Sequence, residues 1–160
     1  MKFSSLVMLI AVFLLNSCNQ RTKSVDRDVF PKEIKSNKQQ SNNLESANLD
    51  FLKKVDGKYP YEIKLLENEI LNKRLKSLIG NRYTFLKKTW AVEIPMTFKN
   101  NIFVAIACQA HNCDATSFII VVDFTNNNMS VGIKEENQIN LFSENGTISP
   151  EINNWVNGKF

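Results

Sequence analysis

The sequence predicts an α+β fold. A helix over about residues 60–79 packs on a mainly antiparallel sheet of five to six strands, followed by a short C-terminal helix. Three observations carry that expectation. Ile63, Leu66, Ile70, Leu71, Leu75 and Leu78 recur at helical spacing between Tyr61 and Ile79, the pattern of a helix buried along one stripe. After Gly80 the period changes to short runs rich in β-branched and aromatic residues, separated by turn formers such as Asn126-Asn127-Asn128 and Asn145-Gly146. No helical segments interrupt those runs, and parallel neighbours would need such crossovers.

The chain opens with Met1-Lys2 and an unbroken apolar stretch from Leu6 to Leu15, the pattern of an export signal. Those ten apolar residues rise only about 15 Å as a helix, half of a hydrocarbon core of roughly 30 Å, so a spanning helix is not expected. The stretch ends at Leu15-Asn16-Ser17-Cys18, which resembles the lipobox of bacterial lipoproteins. That resemblance implies a signal peptide over residues 1–17, lipidation of Cys18, and a protein anchored in the bacterial cell envelope, with the outer membrane facing the periplasm as the expected site. It also accounts for an odd number of cysteines. Of three cysteines, Cys108 and Cys113 remain as one pair in an oxidising compartment.

Residues 18–43 are expected to be the lipidated cysteine and a disordered tether. Residues 19–43 hold no aromatic except Phe30 and are rich in Lys, Ser, Asn and Gln. A flexible chain of that length reaches roughly 25 to 30 Å, enough to hold a domain off a membrane surface. The tether carries six basic and three acidic residues and the signal one lysine, which together account for the net charge of +4. The rest, residues 44–160, has 13 basic and 13 acidic residues, so the basic isoelectric point implies no nucleic-acid partner. Within it, residues 44–107 are +4 and residues 108–160 are −4. The acidic half would favour encounter with a cationic partner, unless it is simply a solvated surface of uneven charge.

Residues 44–160 suffice for one core and are too few for two. A short helix is expected within residues 44–55. Pro60 suits a first helical turn and Gly80 a C-terminal stop for the helix over 60–79. Strands are expected at 83–86, 90–94, 102–107, 117–123, 129–133 and 139–142. The continuously apolar Phe118 to Val122 run suits a central strand covered on both faces. A last helix near 150–156 would bring Trp155 onto the sheet.

Between the strands at 102–107 and 117–123 lies Cys108-Gln109-Ala110-His111-Asn112-Cys113, which encloses the single histidine of the chain. The run is thus expected at the tip of a hairpin, projecting into solvent. Closed as a ring, it would gain only about 2 kcal/mol from loop entropy, so its larger effect would be to hold His111 in one orientation and reduce the entropy lost on docking. Three other readings stand beside this one. With Asp114, the two cysteines and His111 have zinc-ligand chemistry, yet four ligands within seven residues would crowd a tetrahedral site. A redox dithiol or a Cys-His catalytic pair would need a reactive thiolate and usually a closer Cys-x-x-Cys spacing. The third is a purely structural staple.

The ring is similar to the Cys-Lys-Pro-His-Asp-Cys loop of the inhibitor of vertebrate lysozyme (Ivy) family, bacterial envelope proteins that block C-type lysozymes. The likeness extends to the Phe103-Val104-Ala105-Ile106-Ala107 strand, the strand at 117–123, and the order of helix before antiparallel sheet, covering residues 60 to 156. It implies a disulfide between Cys108 and Cys113, and a loop that enters the lysozyme cleft with His111 against the catalytic carboxylates. Gln109-Ala110 replaces Lys-Pro, and Asn112 replaces Asp. Losing the proline removes a conformational lock, and losing the lysine removes a charge that could reach the enzyme's acidic residues. The mode is physically sound, because a retaining glycosidase holds its two carboxyl groups about 5 to 5.5 Å apart, a gap one imidazole can bridge. Carboxylates favour a charged imidazole, so inhibition is expected to strengthen as pH falls from about 8 to 6.

No enzyme signature is found elsewhere. The chain has no Gly-rich phosphate loop and no His-Glu-x-x-His, and a Ser-His-Asp set could be built only around His111. Glu135-Glu136 is expected to be surface charge and Asp123 the start of a turn. Trp90 and Trp155 are expected in the core, or as sugar platforms if exposed. The expectation is a lipid-anchored, non-enzymatic lysozyme inhibitor without cofactor or metal, with a muramidase as partner and a homodimer left open. Two alternatives use the same loop: an immunity protein or regulator binding another peptidoglycan hydrolase or a lytic transglycosylase, and a structural envelope binding module without inhibitory activity.

Overall fold

The computed structural model describes residues 33–36, 49–136 and 138–160. The signal segment, Cys18, and the tether apart from residues 33–36 lie outside the described residues. β1 (Glu33–Ser36), within the stretch read as tether, pairs in parallel with residues 140–143 of a later strand. The expected helix over 44–55 is a 3-10 turn, Asp50–Lys54, with Leu52 fully buried; residues 44–48 lie outside the described residues.

The helix expected over 60–79 is α-helical only in its second part, α1 (Glu69–Ile79). Two 3-10 turns, Pro60–Ile63 and Leu65–Glu67, precede it. Lys64 between them has φ +50°, outside helical geometry, and Asn68 starts α1 by accepting the Leu71 N–H on its side chain at 3.0 Å. Leu71, Leu75, Leu78 and Ile79 are buried, while Ile70 is exposed. Residues 83–86, expected as a strand, are instead helix α2 (Arg82–Thr89). Gly80, at φ +56°, reverses the chain straight into this helix. There the buried Tyr83 and Leu86 lie three residues apart on one face, and Arg82 stacks over Phe85 at 4.6 Å.

The other expected strands form. β4 (Ile102–Cys108), β5 (Thr116–Asp123), β6 (Asn128–Glu135) and β7 (Gln138–Ser143) are consecutive antiparallel neighbours. β2 (Val92–Glu93) and β3 (Thr97–Lys99) both pair with β4 at the far edge. Two features divide that edge. Pro95 has no N–H to give, and Met96, fully buried, turns its own N–H to the Lys58 carbonyl at 2.8 Å. β3 has no counterpart among the expected strands.

Alternation in β5 builds two cores. Phe118, Ile120 and Val122 face α1, α2 and the 3-10 turns together with Phe103 and Val131, while Ile119 and Val121 face helix α3 (Pro150–Val156) with Val104, Leu141 and Ile152. β5 is therefore the central strand, covered on both faces. Trp155 does reach the sheet: it lies so close over Gly132 that a Cβ there would sit 2.6 Å from its ring. Arg74 of α1 is buried, and its guanidinium makes paired bonds to Glu144 at 2.9 and 2.5 Å, tying the helical layer to the end of β7.

Candidate functional site: a disulfide-closed turn

β4 and β5 run in register from the Ile102 and Asp123 pair to the Cys108 and Ser117 pair, so the turn between them stands on the two strands that fix the core. Cys108 and Cys113 form a disulfide with their Cα atoms 4.9 Å apart. As a disulfide the pair offers neither a thiolate nucleophile nor a thiolate metal ligand. Among the described residues no group of three or more His, Cys, Asp or Glu could hold a metal.

Within the ring, the Asn112 N–H donates to the Gln109 carbonyl at 3.0 Å, closing a four-residue turn with Ala110 and His111 at its corners. His111 has φ +60°, a left-handed conformation that histidine adopts more readily than most residues. The Asn112 carbonyl in turn accepts from the Ala115 and Thr116 N–H groups at 3.2 and 2.8 Å. The Asn112 side-chain amide donates to Gln109 Oε1 at 3.2 Å and Thr116 Oγ1 at 3.4 Å. Asn112 and Gln109, two of the ring's departures from the Lys-Pro-His-Asp sequence, thus bond to one another. A carboxylate at position 112 could not donate these bonds. Gln109, Ala110, His111, Asn112, Cys113 and Asp114 are all exposed.

The remaining charged and aromatic candidates have structural partners. Asp123 starts a turn: its carboxylate accepts the Thr125 and Asn126 N–H groups at 2.8 and 3.0 Å and the Asn126 side chain at 2.6 Å. Burial pushes this carboxyl up, but those hydrogen bonds outweigh it and hold the group below the usual carboxylate range. Glu135 pairs with Arg82 at 2.6 Å. Trp90 is half-buried, stacks on Phe118 and donates to Glu93 at 2.7 Å, and Trp155 is half-buried over Gly132. Neither tryptophan is a free sugar platform.

One feature escapes sequence reasoning. On the α3 face, the last row of the sheet before the turn runs Val92, Cys108, Ser117, Lys134 and Ile139 across five strands. All five line a groove of about 350 Å³ that also touches Cys113 and Asp114. The alternation Val92-Glu93-Ile94 hints at one shared face for Val92 and Ile94, but the row appears only once the register is known.

Fold and site together describe an α+β domain that presents an exposed, disulfide-closed turn between two central strands. The family model for inhibitor of vertebrate lysozyme (Ivy) matches residues 70–159, and the chain belongs to that family. Membership implies lysozyme inhibition in general and a muramidase as partner, consistent with a protein that is not an enzyme. No curated protein and no solved structure was found to match the chain.

Proposed function

We propose that the chain is an envelope lipoprotein, anchored through Cys18 and facing the periplasm from the outer membrane, which inhibits C-type lysozyme by inserting the Cys108–Cys113 turn into the catalytic cleft. The observation that carries this reading is the exposed His111 at the tip of a ring braced by a disulfide and by Asn112. His111 then lies between the enzyme's two carboxyl groups and bonds both, which keeps the sugar out. Little entropy is lost on docking because the turn is already closed.

The test adds the purified protein to a hen-type lysozyme during cell-wall lysis, beside His111→Ala and His111→Asn. Asparagine also tolerates the left-handed backbone, so it removes the imidazole while respecting the turn. Inhibition by the parent protein, weakened at least tenfold in both variants and strengthening from about pH 8 to pH 6, is the expected result. Full lysis with the parent protein removes the inhibitor reading, and equal inhibition by the variants removes His111 as its cause.

A further inference from the structure

α3 covers the sheet only as far as the row that holds Ile119 and Gly132, beneath Trp155. The next row toward the turn floors the groove, buried at Ile139 but accessible from Lys134 to Val92, and Trp155, Val156, Gly158 and Phe160 line the groove together with the disulfide and Asp114. At the β2 edge, Val92 and Ile94 are 44% and 41% exposed and present two aliphatic side chains to the groove. Lys134 also lines the floor, but on β6, three strands or roughly 14 Å from Val92. Asp114 has no ion-pair partner among the described residues.

Cys108 belongs to both features: it closes the ring and it floors the groove. His111 lies three residues beyond it, a reach of at most about 10 Å. A cleft deep enough to take in the imidazole therefore brings its rim down onto this row. We propose that the groove is the second half of the enzyme-binding surface. It receives the rim of the muramidase cleft, an apolar side chain settling over Val92 and Ile94 beside a basic one that meets Asp114. The proposal rests on the reading of the turn as the inserted element, and it gives the acidic half of the domain a cation to meet.

The experiment measures the dissociation constant of the whole protein for a hen-type lysozyme by calorimetry, for the parent, for Val92→Ser with Ile94→Ser, for Asp114→Asn, and for His111→Ala. The exposed positions chosen should leave the melting temperature within a few degrees of the parent. The double serine variant is expected to bind at least tenfold more weakly, and Asp114→Asn several-fold more weakly with a shallower salt dependence. If His111→Ala loses affinity while the groove variants keep it, the groove proposal falls and the inserted turn stands. If the parent does not bind at all, both fall. Sedimentation supplies the remaining arm: self-association that the double variant abolishes, with enzyme affinity unchanged, would make the groove a contact between copies and overturn the proposal.

Discussion

At Gly132 the hydrogen in place of a side chain is what lets α3 lie on the sheet, since a Cβ would meet the Trp155 ring at 2.6 Å and Ile119 Cγ2 at 2.8 Å. Ile119, fully buried in the central strand, has no room to withdraw. Gly132→Ala should therefore cost about 1 to 3 kcal/mol, read as a lowered denaturant midpoint with an unchanged slope. Asp123 acts through charge. Its carboxyl is held below the ordinary range by three donors, so the stability it contributes is fully present above the unfolded value near 4 and is lost as pH falls through the depressed folded value. Asp123→Asn should lower the melting temperature by a few degrees at pH 7. That gap should close below about pH 4, and a gap constant with pH would show that the charge is irrelevant. At the turn, the residue pattern indicated an exposed histidine between two cysteines, and the family resemblance their disulfide. The mutual bond of Gln109 and Asn112 was not legible, because it depends on the left-handed backbone at His111.

Among the elements, the hairpin of β4 and β5 was readable from its apolar runs, and α1 and α3 from spacing and from Pro150. α2 was not, because Tyr83, Phe85 and Leu86 have strand-like propensities; burial of Tyr83 and Leu86 on one helical face decides otherwise. The first turns before α1 also escaped, since the helical apolar spacing runs through Lys64 and Asn68 without a break. Two links between elements yield predictions. Arg74 and Glu144 join α1 to the end of β7, and Glu144 Oε2 also accepts the Met129 N–H at 2.7 Å. Glu144→Ala leaves a buried guanidinium without its carboxylate and should cost roughly 2 to 3 kcal/mol, measurable by urea unfolding. The disulfide should behave in the opposite way. Its ring is only six residues long, so Cys108→Ser with Cys113→Ser should lose about 2 kcal/mol or less. Lysozyme inhibition by that variant should nevertheless fall at least tenfold, because the tip must then be ordered on binding.

For the whole molecule, the −4 segment of residues 108–160 supplies the turn, β5 to β7 and α3, with Glu135 and Glu144 paired to Arg82 and Arg74 of the +4 segment and Asp114 left exposed at the turn. If this half faces a cationic partner, association with lysozyme should slow severalfold between about 20 mM and about 300 mM salt, with dissociation much less affected. Stopped-flow measurement of both rates checks this, and a salt-independent association rate would leave the asymmetry without a role in binding. The sequence by itself determined the α+β class, the order of most elements, the doubly covered strand at Phe118 to Val122 and the position of the six-residue ring, because periodicity, turn chemistry and cysteine spacing are local properties of a chain. Only the tertiary structure decided that residues 82–89 are helical, that Arg74 and Glu144 meet across 70 residues, and that Val92, Cys108 and Lys134 share one row lining the groove beside the turn. Those outcomes depend on strand register and on which face is buried, and both are fixed by packing between segments far apart in the chain.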